Sequence, residues 1–208
     1  MFMPPIRIQQ LILRVPVIML PAAARGPPPT RGKNPMNKIL ALGLAFALAS
    51  PVAVRADKHL IAQQSVEIKA SPKAVWDVVK NFDGLPKWHP AFKGDVIKSG
   101  KNNTKGAMRT LTLGSGESFD EQLLKFDDKK MLFSYRIVGD SPFPITHYLS
   151  TMSVKKGKKG GMTKVIWQGK FDNKSGSGKT DEEVVEVING AYKAGLENLK
   201  TMIESGQS

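Results

Sequence analysis

The chain has no cysteine. That removes thiol nucleophiles, cysteine-type zinc sites, covalent haem attachment and iron–sulfur clusters. It also means that an exported form rests on its packed core alone, without disulfides. Histidine is scarce: His59, His89 and His147 are the full set. None has a ligand partner at a useful spacing, so no metal site is expected, and no cofactor is implied. No Ser-His-Asp arrangement follows from these spacings. Acidic residues are missing from the first 56 positions, and all 18 lie beyond them. The one phosphate-loop look-alike, Ser175-Gly176-Ser177-Gly178-Lys179-Thr180, has Asn173 where the first glycine belongs. No parallel βαβ unit surrounds it, so nucleotide binding is rejected.

What the N-terminal stretch does contain is the pattern of a secretory signal. Met36-Asn37-Lys38 is a short basic start, Ile39–Ala49 is apolar, and Pro51 breaks the run. Val54-Arg55-Ala56 then offers small residues for a cut before Asp57. The run is shorter than the roughly 20 residues that a spanning helix needs. The expectation is therefore a signal over 36–56, cleaved after Ala56, and a periplasmic protein with no membrane span. Residues 1–35 are rich in Pro and Arg and read as an over-extended start or an extension with no part in the fold. From Asp57 onward, 24 basic residues face 18 acidic ones, a net charge of +6. A moderate excess of this kind favours acidic partners or anionic surfaces and is weak evidence for nucleic acid, which is not expected as a partner.

The segment 57–208 reads as one domain. Gln63–Ala70 alternates, with Val66 and Ile68 on one face, as a half-buried strand does. Ser71 is a good N-cap and Pro72 suits the first helical position. Val75, Trp76, Val79 and Phe82 follow at helical spacing. A second short turn, Leu85–Pro90, is bounded by prolines. Six strand candidates come next: 94–99, 107–113, 118–126, 131–138, 147–154 and 163–171. Each is separated from the next by turn-forming residues, as in an antiparallel meander. The lysine-rich loop Lys155–Gly161 is most simply a solvated loop guarding a sheet edge, with contact to an acidic partner as the alternative. Thr180 and Glu183 make a capping box. A long helix then runs to about Glu204, with Val184, Val185, Ile188, Tyr192, Leu196, Leu199 and Ile203 as its apolar stripe. Gly190, Ala191, Ala194 and Gly195 are placed on its inner side, where small residues admit a close sheet or leave space. The order fits an α+β fold, a curved antiparallel sheet around a long C-terminal helix.

Such a fold leaves a cavity lined by one face of the sheet, and period two nominates its lining. Arg109, Glu121, Tyr135 and Trp167 would face inward together, with Arg109 and Glu121 paired because an isolated buried charge is too costly. A one-residue slip would turn each of them outward. Trp88 and His89 from the early turn, Tyr148 and Tyr192 complete the ligand-pocket candidates. His89, between Trp88 and Pro90, reads first as a packed turn histidine; of the three histidines it is also the best acid–base candidate.

The blocks Ala74–Val79, Phe82–Pro90, Gly106–Leu111, Phe133–Ile137 and Val165–Phe171 resemble the START-like, polyketide cyclase/dehydrase-like superfamily known as SRPBCC. Within it, the MxaD-like group of exported proteins is the nearest likeness. The resemblance covers roughly residues 62–203. It implies a helix-grip fold of about seven strands, with two short helices after the first. It also implies a non-enzymatic periplasmic accessory that assists electron transfer from methanol dehydrogenase to its cytochrome c. The acidic redox partner would be one of those two proteins. Two alternatives stay open. One is a carrier of a small hydrophobic ligand or lipid under the C-terminal helix. The other is a cyclase or dehydratase using His89, Glu121 or Tyr135, for which the fold alone is no evidence.

Overall fold

The computed structural model describes residues 59–206. The leader and signal expected over 1–56 lie outside them. Seven strands form a single antiparallel sheet: β1 (Leu60–Ile68), β2 (Phe92–Ser99), β3 (Met108–Leu113), β4 (Ser118–Asp127), β5 (Leu132–Val138), β6 (Ile145–Lys156) and β7 (Thr163–Asn173). Their order across the sheet is β1-β7-β6-β5-β4-β3-β2. Two helices, α1 (Pro72–Val79) and α2 (Asp181–Glu204), and one 3-10 turn (Leu85–Lys87) complete the fold. This is the helix-grip arrangement that the sequence implies. Among the described residues, no helix is long and apolar enough to cross a membrane.

Local chemistry sets the helix ends. The Ser71 hydroxyl accepts the Ala74 N–H at 3.2 Å, and Pro72 opens α1. Val75, Trp76 and Val79 bury the inner face of α1. The helix ends at Val79, so Phe82 reaches the core from the following turn and not from the helix as its spacing suggested. At α2 both halves of the capping box form: Thr180 Oγ1 accepts from Glu183 N–H, and Glu183 accepts from Thr180 N–H. Asp181, Glu182 and Glu183 put negative charge where the helix dipole favours it.

The strands are longer than expected at several ends, β6 in particular starting at Ile145. Alternation is clear on β7, where Val165, Trp167, Gly169 and Phe171 are buried while Gln168 and Lys170 are exposed. The meander divides the connections between two ends of the sheet. The β2–β3, β4–β5 and β6–β7 hairpins lie at one end, with the β1–α1 link beside them. The β3–β4, β5–β6 and β7–α2 connections lie at the other.

Helix α2 packs on the sheet through Val184, Ile188, Tyr192, Gly195, Leu196 and Leu199. Val185 and Ile203 are half-buried. The small residues divide: Ala191 and Gly195 face inward, whereas Gly190 and Ala194 are exposed, a correction to the inner placement of all four.

Candidate ligand-binding site

All eight candidate side chains, Trp88, His89, Arg109, Glu121, Tyr135, Tyr148, Trp167 and Tyr192, are buried. Six of them line one cavity of about 40 Å³ between the sheet and the first half of α2. Trp88 and Arg109 are the exceptions. They lie just behind it, against a smaller void of about 10 Å³ that shares Leu85, Tyr135 and Trp167 with the cavity. The remaining cavity wall is almost wholly apolar: Leu85, Phe92, Leu111, Phe119, Ile137, Phe143, Ile145, Ile188 and Ala191.

Arg109 organises the polar side. Its Nε and Nη2 donate to Glu121 Oε2 at 2.9 and 2.6 Å, and Nη1 donates to Asp95 Oδ2 at 3.1 Å and to the Phe82 carbonyl. The guanidinium stands over the Phe82 ring, 4.1 Å from its centroid. One cation thus faces two buried carboxylates. Burial raises the Glu121 carboxyl above its ordinary range against the pull of Arg109, and does the same to Asp95. Burial also disfavours the Arg109 charge, but Glu121 and Asp95 outweigh that and hold it firmly protonated. Both bonds to Glu121 use Oε2; among the described residues Oε1 accepts none. Glu121 itself lines the cavity.

The hydroxyl groups nearby form a connected set. Trp167 Nε1–H is shared between Tyr135 Oη at 2.9 Å and Ser150 Oγ at 3.0 Å. Tyr148 and Tyr192 hydroxyls meet at 2.5 Å, and Tyr192 reaches Ser150 at 3.4 Å. Ser150 Oγ–H then donates to the Gln168 carbonyl at 3.0 Å, which ends the chain on a backbone acceptor. Burial raises all three tyrosine hydroxyls, so they act as neutral donors and acceptors. The Trp167 and Tyr192 rings stack at 4.4 Å. Gly169 makes this possible: a β-carbon there would collide with the Tyr192 hydroxyl.

His89 has no nitrogen to spare. Its Nε2 lies 3.0 Å from the Ala191 carbonyl, which can only accept, so Nε2 carries the proton. Nδ1 then accepts from the Ala91 N–H at 3.2 Å. Burial lowers the imidazole to about 4, and it is neutral at neutral pH. His89 is thus the packed turn histidine of the two readings, a wall and a clasp, with neither nitrogen left for acid–base work. Glu121 is the one carboxyl that lines the cavity.

Asp95 is the functional-looking residue that sequence reasoning missed. On β2 the pattern is inverted, with Asp95 turned inward and Val96 66% exposed. Hydrophobic periodicity selects Val96, and only the paired demand of Arg109 explains the reverse. Phe119 and Phe143 were missed as well, although Phe119 sits two positions before Glu121 on the same face of β4. His59 and His147 do not line the cavity; both Nδ1 atoms contact Asp172, at 2.5 and 2.8 Å.

Comparisons with known proteins agree on this architecture. The family model for polyketide cyclase / dehydrase and lipid transport matches residues 59–204. The abscisic acid receptor PYL10 of Arabidopsis thaliana is 28% identical over 144 residues, covering 68% of this chain and 78% of the relative. Among solved structures, an uncharacterized protein of Bacillus thuringiensis is 33% identical with a TM-score of 0.60, covering 68% of this chain and 96% of its own. The protein XoxI of Bacillus cereus is likewise 33% identical with a TM-score of 0.60, over 68% of this chain and 94% of its own.

Proposed function

The chain belongs to the polyketide cyclase / dehydrase and lipid transport family, and from that premise we propose that it is a binding protein for a small molecule with an apolar body and one hydrogen-bond donor. The observation that carries this is the cavity's composition. Apolar and aromatic side chains surround a single charged group, Glu121, whose Oε1 accepts nothing from the described residues. A hydroxyl or amine on a ligand satisfies that oxygen, and the aromatic walls take the rest. Volume narrows the class further. About 40 Å³ holds only a few heavy atoms, far below the hundreds of Å³ of a drug-sized pocket. A small-molecule receptor among the relatives supports the same reading. A lipid-sized ligand, the carrier reading, requires α2 or the β5–β6 connection to move outward.

The test is a thermal-shift and calorimetric panel of short alcohols, amines and phenols, with hydrocarbons of equal size beside them. Saturable stabilisation by donor-bearing members, weakened about tenfold or more by Glu121→Gln, is the expected result. Equal response to hydrocarbons would sink the donor requirement. A co-purifying lipid in native mass spectra would move the function to the carrier.

A second reading concerns the setting. The signal-like segment 36–56 and the MxaD-like resemblance favour an exported accessory of methanol oxidation. In that reading the protein serves transfer from methanol dehydrogenase to its cytochrome c. Deleting the gene and following methanol-dependent reduction of the cytochrome tests it; an unchanged rate removes the setting and leaves the ligand reading standing.

A further inference from the structure

Charge is divided unequally between the two ends of the sheet. At the end with the β2–β3, β4–β5 and β6–β7 hairpins, the segments 69–73, 100–107, 127–131 and 155–162 carry ten lysines and two acids. Their net charge is +8, against +6 for the whole chain from Asp57 onward. More than the entire excess therefore sits in these four segments. The other end is acidic. Segments 114–117, 139–144 and 174–183 carry two lysines against Glu117, Asp140, Asp181, Glu182 and Glu183. The cavity belongs to that acidic end, through Phe119, Ile137, Phe143 and Ile145.

The lysines are free to act. Each hairpin presents exposed members: Lys101 and Lys105, Lys129 and Lys130, Lys158 and Lys159. Of the ten, only Lys73 has a carboxylate within ion-pair distance among the described residues, Asp77 at 2.5 Å. Such a face is more than edge protection, because two of the four segments, 127–131 and 155–162, join strands inside the sheet. Its composition also says what it meets. The four segments contain no arginine and no aromatic residue, and their apolar side chains at the tips, Met131 and Met162, are half-buried. Protein interfaces concentrate their energy in Trp, Tyr and Arg anchors set in pockets. Lysine is instead a hydrated point charge without a preferred fork geometry, suited to a diffuse anionic surface.

We propose that this end of the sheet adsorbs to a bilayer containing anionic phospholipid. Adsorption leaves the cavity facing the aqueous side, so that the ligand enters from solution and not from the lipid. Each lysine near such a surface contributes roughly a fivefold increase in partitioning. The attraction fades beyond a Debye length, about 8 Å at physiological salt. The inference stands independently of which ligand occupies the cavity.

The experiment is sedimentation of the chain Asp57–Ser208 with vesicles of phosphatidylcholine alone or mixed with phosphatidylglycerol. Every strand and helix described lies within that stretch, as does the core. Circular dichroism checks the fold of each variant. Binding to the mixed vesicles at low salt, absent on phosphatidylcholine and lost as salt rises, is expected. K129Q/K130Q/K158Q/K159Q should lose nearly three orders of magnitude in partitioning, about fivefold for each lysine. K101Q/K105Q should lose about one. A charge-matched control elsewhere, K87Q/K174Q/K179Q/K193Q, should lose far less. Equal losses in the two quartets would overturn the assignment to this face. No vesicle binding at low salt would overturn the proposal outright, and binding to polyglutamate in that case would give the face to an acidic protein.

Discussion

Gly195 of α2 lies directly beneath the imidazole of His89, so close that a β-carbon at 195 would overlap the ring. One turn earlier on the same helix, the Ala191 carbonyl accepts the Nε2–H of that ring at 3.0 Å. One turn later, Asn198 Nδ2 donates to the Trp88 carbonyl at 3.0 Å. The Trp88-His89 turn is thereby fastened along α2, and the fastened ring becomes part of the cavity wall.

Gly195→Ala should therefore destabilise the protein. In an exposed helix the change would gain about 1 kcal/mol. Here overpacking against a ring held at both nitrogens costs about 1–3 kcal/mol and outweighs it. Urea denaturation measures the balance. A variant as stable as the parent would show that the ring can shift aside freely. Gly190→Ala, at an exposed position with open space around it, is the matched control and should gain stability.

The His89 imidazole gives stability a defined pH dependence. Its folded value is lowered from 6.5 to about 4 by burial. Below 6.5 the unfolded chain takes a proton that the folded chain refuses, so stability falls as pH drops from 6.5 towards 4. Full expression of the shift is on the order of 3 kcal/mol. His89→Gln keeps a donor near Ala191 and removes the titration. Its stability should change less over that interval than the parent's; parallel profiles would assign the acid sensitivity to other groups.

Removing Arg109 should be far worse than removing one of its partners. Arg109→Met leaves Glu121 and Asp95 buried without a cation, at a cost of about 3–5 kcal/mol. Glu121→Gln still accepts from Arg109 and leaves the Asp95 pair in place, so the loss should be smaller. It also lifts the penalty of ionising a carboxyl whose value burial has raised. That penalty is absent below the ordinary carboxylate range and grows as pH rises through the folded value, so Glu121→Gln should fare best relative to the parent at high pH. A Gln variant weaker than Arg109→Met at neutral pH would reverse the ranking of the two groups.

The same cluster marks how far the sequence could be read. Period two on β3, β4, β5 and β7 turned Arg109, Glu121, Tyr135 and Trp167 inward, because those strands alternate regularly between a buried and a solvated face. The capping box and the Ser71-Pro72 start were legible because they depend on near neighbours alone. Asp95 was not, since β2 carries two register shifts and buries an acid beside an exposed valine. Which nitrogen of His89 is occupied was not legible either: it depends on Ala191, remote in the chain, and on a backbone N–H two residues on. The cavity's small size likewise comes from how Trp167 and Tyr192 stack above Gly169, a packing fact with no local signature.

That filling makes a last prediction possible. If the aromatic side chains, and not the backbone, set the volume of about 40 Å³, trimming one apolar wall residue should admit a larger guest. Ile188 is the best position. It is 3% exposed, lies on α2 against the cavity, and makes no polar contact that its loss would strand. Ile188→Ala should cost about 2–5 kcal/mol, within reach of a folded protein only if the parent has stability to spare. Benzene or indole should then raise the melting temperature of the variant while leaving that of the parent unchanged, because the apolar void left by the isoleucine favours an apolar guest over water. If neither probe stabilises the variant, the sheet and α2 have closed over the gap, and the cavity's size is set by the backbone after all.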